Sequence, residues 1–78
     1  MTANDILALL ERELGIDRRR VNEDTPLFSS GLLDSFAMVT LVTAVEGAAG
    51  IKVRATDVTL ANFDSVGRIL GYVAGRAR

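Results

Sequence analysis

The sequence predicts an all-α fold, a small four-helix bundle of three longer helices and one short one, with a long loop between the first and second helices. Three observations lead there. Apolar residues recur at helical spacing in three segments, each opening on a capping residue. Ile51-Lys52-Val53-Arg54 alternates like a strand but has no second strand to pair with, and for residues 37–45, where a strand is the runner-up, length and the Gly50 stop favour a helix. The chain has 78 residues, 49% of them hydrophobic, which suits one core and one domain over residues 1–78.

The first helix is expected to begin near Thr2, with Asp5 three residues on giving a weaker form of the capping box. Ile6, Leu7, Leu10 and Leu14 then share a face, and Gly15 ends the helix as a left-handed C′ residue. Residues 16–33, "IDRRRVNEDTPLFSSGLL", break the period. A loop this long must be functional or packed, and Ile16, Val21, Leu27, Phe28 and Leu32 are its candidate anchors. Asp24-Thr25-Pro26 reads as a turn.

The second helix is expected from Asp34 or Ser35 to the Gly50 stop. Phe36, Val39, Val42 and Val45 mark one stripe, and Leu41, Ala44, Ala48 and Ala49 widen it almost all round, so much of this helix is buried or meets a partner. Val, Thr and Phe are modest helix formers, so packing must hold it. An extended segment comes next. A short third helix is placed over Asp57 to Asn62 with Thr56 as cap. Asp64 or Ser65 caps the fourth, where Val66, Ile69, Leu70 and Val73 line one face and Arg76 and Arg78 suit the dipole. Tyr72 is expected half-buried with its hydroxyl at the surface.

Composition narrows the function. The chain has neither cysteine nor histidine. Disulfides and thiolate metal sites are therefore out, no metal site is expected, and neutral-pH acid–base catalysis lacks its usual side chain. The formal net charge of −1 gives no general attraction to nucleic acid. Residues 1–50 are net negative by four and residues 51–78 net positive by three, an asymmetry that can steer a partner. The opening "MTANDILALLEREL" lacks the basic start of a signal peptide, and no apolar run is long enough for a membrane span. A cytoplasmic monomer, away from membrane and nucleic acid, is expected.

One serine stands out in "GLLDSFAMV", Gly31 to Val39. Asp34 is the expected N-cap, which puts Ser35 in the first helical turn at the positive end of the dipole. A phosphate ester is electrostatically welcome there. A nucleophile would need a base and an oxyanion hole, and the Gly-x-Ser-x-Gly elbow is absent. The site suits carrying a group rather than attacking one.

With "TPLFSSGLLDS" before it and "ANFDSVGRILGYV" after, "LFSSGLLDSFAMVTLVTAVEGAAGIKV" resembles the attachment region of acyl and peptidyl carrier proteins. The resemblance spans most of the chain and implies a single carrier-protein domain over 1–78, with Phe63 a core anchor. It implies that Ser35 is esterified by 4′-phosphopantetheine from coenzyme A and that Asp34 is the motif's aspartate. The chain itself would then be no enzyme. It would hold an acyl or aminoacyl group as a thioester and present it to partners: a phosphopantetheinyl transferase, then an acyl or aminoacyl ligase, an acyltransferase or a synthase. Phe36 replaces the leucine commonest after the serine, and "GLLDSF" is most like the freestanding aminoacyl and D-alanyl carriers.

Between Ser35 and Gly50 the only charged residue is Glu46, whereas fatty-acid carriers are typically rich in acids here. Docking is therefore expected on Phe36, Met38, Val39, Thr40 and Thr43, with Glu46 and Asp34 as charged anchors, and with weak salt dependence. This favours a specialised pathway of polyketide or nonribosomal peptide type. The alternative class is a small helical protein- or nucleic-acid-binding module without cofactor, using Arg18-Arg19-Arg20 and the basic C-terminal third.

Overall fold

The computed structural model describes residues 1–76 and places α1 over Ala3–Leu14, α2 over Ser35–Ala49, α3 over Leu60–Phe63 and α4 over Val66–Arg76. Single 3-10 turns at Arg18–Arg20 and Ala55–Asp57 interrupt the connections. No strand occurs among the described residues, so the all-α bundle is borne out. The expected dipole partner Arg78 lies outside the described residues.

The capping box of α1 forms: the Asp5 N–H donates to Thr2 Oγ1 at 3.3 Å and the Thr2 N–H donates to Asp5 Oδ2 at 2.8 Å. Gly15 closes the helix at φ +67°. Ile6, Leu9 and Leu10 are buried, while Leu7 and Leu14 are half-buried. A single-stripe reading misses Leu9 because α1 packs on both α2 and α4, and a helix with two neighbours buries a wider face.

The predicted stripe of α2 divides. Val45 and Leu41 are buried, Val42 is half-buried, and Phe36 and Val39 are exposed. Cover from α1 reaches only one side of the helix. Gly50 ends it at φ +67°, and Glu46 ties down the extended segment beyond: its Oε2 accepts the Val53 N–H at 2.8 Å.

The third helix is displaced from its expected place at Asp57–Asn62. It begins after Thr59, not Thr56, because Asp57 closes the separate 3-10 turn Ala55–Asp57 and serves as a tie-point. The Asp57 carbonyl accepts the Thr59 N–H and the Asn62 side-chain amide, each at 2.9 Å. Its carboxylate accepts the Tyr72 hydroxyl at 2.7 Å. Tyr72 is half-buried as expected, and that bond adds a partner for its hydroxyl. Its ring lies 5.4 Å from that of Phe63, which is fully buried as expected.

In α4 the cap is Ser65, whose Oγ accepts the Arg68 N–H at 3.2 Å. Val66, Ile69 and Val73 face the core. Gly67 has a packing reason. Its N–H donates to the Glu23 carbonyl at 2.9 Å, and a Cβ there would sit 3.2 Å from that oxygen. At Gly71 a Cβ would meet nothing within 4 Å. Gly71→Ala should therefore stabilise the protein by about 0.5–1 kcal/mol through helix propensity. Gly67→Ala should gain nothing or lose stability, because its methyl must displace the Glu23 carbonyl. Urea midpoints of the two variants check the contrast.

The long loop is packed by Val21 and Leu27, with Ile16 and Phe28 half-buried. Leu32 is not an anchor: it is 39% exposed, and Leu33 takes its place at 8%. The Leu33 N–H donates to the Leu27 carbonyl at 2.8 Å, which turns the second leucine inward.

Candidate functional site

The approach to Ser35 is built by hydrogen bonds inside the loop. The Ser30 hydroxyl donates to the Pro26 carbonyl at 2.6 Å. The Gly31 N–H donates to the Phe28 carbonyl at 3.0 Å. Gly31 has φ +83°, a backbone state that disfavours any side chain. Asp64 bolts this loop to the α3–α4 junction from 35 to 36 residues away. Its Oδ1 accepts the Phe28 N–H at 2.7 Å and the Ser29 N–H at 2.9 Å, and its Oδ2 accepts the Ser29 hydroxyl at 2.6 Å. The Asp64 carbonyl also accepts the Leu27 N–H at 2.7 Å. The Ser29 hydroxyl, ahead of the amides, holds the Asp64 carboxyl below the ordinary carboxylate range. Its position in the sequence makes Asp64 a candidate cap; with Ser65 capping α4, it is free for this work.

Asp34 is the N-cap of α2, its Oδ1 accepting the Ala37 N–H at 2.9 Å. Ser35 is thus the first helical residue, at the positive end of a 15-residue helix. The chain has four serines, and the other three have employed hydroxyls. Ser29 donates to Asp64, Ser30 donates to Pro26, and Ser65 is buried and caps α4. Among the four serines, only Ser35 has a hydroxyl that is both exposed and without a hydrogen-bond partner in the protein.

Beside Ser35 runs an open groove of about 540 Å³. Phe28 and Leu33 from the loop, Met38 and Val39 from α2, and Val58 and Leu60 from the α3 region line it with Asp34 and Ser35. Its lining is mostly apolar, with the serine at its edge. Sequence reasoning overlooked Val58 and Leu60. The available signal was an excess of apolar residues in "DVTLANF" for so short a helix.

The expected docking residues do not form one group. Phe36 is 85% and Val39 67% exposed, and with exposed Thr40 and Thr43 they share an outer face by helical spacing. Met38 is half-buried and lines the groove. Glu46 stands eleven positions after Ser35, about 16 Å along the axis, and is engaged at Val53. The arginine run is dispersed as well. Arg18 contacts Asn4 and Glu11 on α1, and Arg19 pairs with Asp17. This is poor support for a basic binding surface at residues 18–20.

Comparison with known proteins agrees with this geometry. Residues 4–73 match the family described as phosphopantetheine attachment site. The chain belongs to that family of carriers. It is also similar to a D-alanyl carrier protein of Enterococcus faecalis (strain ATCC 700802 / V583), 44% identical over 52 residues, which are 67% of this chain and 67% of that protein. As a carrier the chain is a substrate shuttle and not a catalyst; it takes a covalent 4′-phosphopantetheine, is served by a phosphopantetheinyl transferase and works with modifying enzymes. The residues present fit such a group: a free hydroxyl for the phosphodiester, a helix N-terminus to stabilise its charge, and an apolar groove alongside. No described helix is long and apolar enough to cross a membrane.

Proposed function

We propose that Ser35 is the attachment residue and that the chain is a discrete aminoacyl carrier, most nearly of the D-alanyl kind. The observation that carries the site is the free, exposed Ser35 hydroxyl among four serines, set at the start of a long helix. When attached, the arm supplies a terminal thiol that holds the cargo as a thioester. The protein's own residues do the rest. Asp34 orients the first turn through the Ala37 N–H, the positive helix end would stabilise the phosphodiester's charge, and the groove from Phe28 to Leu60 would offer the arm an apolar shelf. Tethering raises the effective concentration of cargo at whichever enzyme is docked.

Two observations favour an aminoacyl cargo. One is the similarity to a D-alanyl carrier over 52 residues. The other is the outer face of α2, which is apolar and hydroxylic, unlike an acid-rich face. Phe36, Val39, Thr40 and Thr43 form the docking surface of this reading, and Asp34 its charged anchor. A cytoplasmic setting and a single carrier domain over residues 1–78 go with it, as does an adenylating ligase as the loading partner.

The test is sequential loading followed by intact mass. After coenzyme A and a phosphopantetheinyl transferase, the chain is offered D-alanine, ATP and a D-alanine-adenylating ligase. A gain of one arm and then one alanyl group is expected. Loading with malonyl groups by an acyltransferase, and none with D-alanine, would move the protein to polyketide-type assembly. Acceptance of other amino acids alone would move it to peptide assembly.

A further inference from the structure

The two sides of the groove are held by different carboxylates. Asp64 bolts the loop that brings Phe28 and Leu33. Asp57 stands behind the opposite wall, in the segment that brings Val58 and Leu60. The far end of that segment is held by buried Phe63 and by Arg68, whose guanidinium donates to the Ala61 carbonyl at 3.2 Å, while its near end faces the open groove. Val58 is 37% and Leu60 51% exposed, and α3 is only four residues long. Asp57 binds it at several points. Its carbonyl accepts the Thr59 N–H and the Asn62 side chain. Its carboxylate accepts the Tyr72 hydroxyl of α4 at 2.7 Å, with Arg54 Nε at 3.4 Å from the same oxygen.

We propose that Asp57 is a positioning residue for the groove: through the Tyr72 hydroxyl it fastens the segment carrying Val58 and Leu60 to α4, and so sets the wall against which the arm on Ser35 lies. The latch itself is independent of the carrier reading; only the identity of what lies in the groove rests on it. With the bond made, the wall moves with the bundle. Without it, the wall opens as a local unit while α1, α2 and α4 stay packed. The arm then spends less time against the apolar shelf and more in water.

Tyr72→Phe removes one oxygen and leaves the ring against Phe63, so the variant should fold. Hydrogen exchange on the unmodified protein is the first readout. The amides of Thr59, Asn62 and Phe63 should exchange about tenfold faster, with the amides of α1 unchanged. Asp57→Asn keeps an acceptor for Tyr72 and should fall between wild type and Tyr72→Phe. The second readout uses the loaded protein. Because the chain has no cysteine, the arm's thiol is the sole thiol, and its reaction with an aromatic disulfide should quicken roughly threefold in Tyr72→Phe. A uniform rise in exchange across α1 and the α3 segment, or no rise at all, overturns the latch. Faster local exchange with an unchanged thiol rate overturns the positioning role and leaves the carrier intact. A wild-type chain that takes up no arm fails the carrier reading instead, and the exchange result still decides the latch.

Discussion

Ser35→Ala should take up no phosphopantetheine under conditions that load the wild type completely. The expected loss is total because the remaining serines cannot substitute. Ser29 and Ser30 spend their hydroxyls inside the loop, and Ser65 is buried. The variant should still fold. Ser35 is exposed and comes after the N-cap instead of being it, so stability should stay within about 0.5 kcal/mol. Asp34→Ala gives the complementary result. It should lose about 1 kcal/mol as a missing cap yet keep the hydroxyl that takes the arm. Intact mass and thermal unfolding on the same samples separate the two effects. Full loading of Ser35→Ala would remove the site assignment.

Asp64→Ala should be the most destabilising polar substitution in the chain. It strands the Phe28 and Ser29 amides and the Ser29 hydroxyl together. The cost should be about 1–2 kcal/mol, toward the lower part of the range for lost partners because water reaches part of the site. In a domain this small that is a fall in Tm of roughly 5–10 °C. The pH dependence has a definite sign. The Asp64 carboxyl is held below its ordinary value of 3.8. Its contribution is therefore complete above the unfolded value and is lost as pH falls through the lower folded one. Asp5, Asp17 and Asp57 are also held low, so they share this acid limb. Asp64→Asn should flatten the limb in part; an unchanged acid limb would show that the bolt contributes nothing.

The features legible in the sequence are local. The caps at Thr2 and Asp34, the stops at Gly15 and Gly50 and the faces of α1 and α4 depend on neighbours within a few residues. So does the exposure of Ser35, once Asp34 is seen as the cap. The features that escape it are set by distant partners. Leu32 and Leu33 are equivalent in a loop without period until the Leu27 carbonyl selects one. Asp57 looks like a helix start until Tyr72, fifteen residues on, claims its carboxylate. Asp64 looks like a cap until the loop arrives. Glu46 looks available to a partner because nothing in its own helix turn reveals the Val53 amide. For α2, an apolar stripe cannot tell core from outer face, since covering it depends on where α1 lies.

The lining of the groove has a chemical consequence for the cargo. Thioesters are consumed by amines, thiols and base-assisted water. The groove contains aliphatic and aromatic side chains, the Met38 thioether, one carboxylate and the serine itself. Across the whole chain there is a single lysine, Lys52, and no cysteine or histidine, and arginine stays protonated and does not act as a nucleophile at ordinary pH. A thioester resting there meets no amine or thiol in the groove's lining, and the one carboxylate, Asp34, is engaged as the cap of α2. Its lifetime is then governed by bulk water and by the enzyme that next arrives, which is the chemical inertness that storage between two reactions demands.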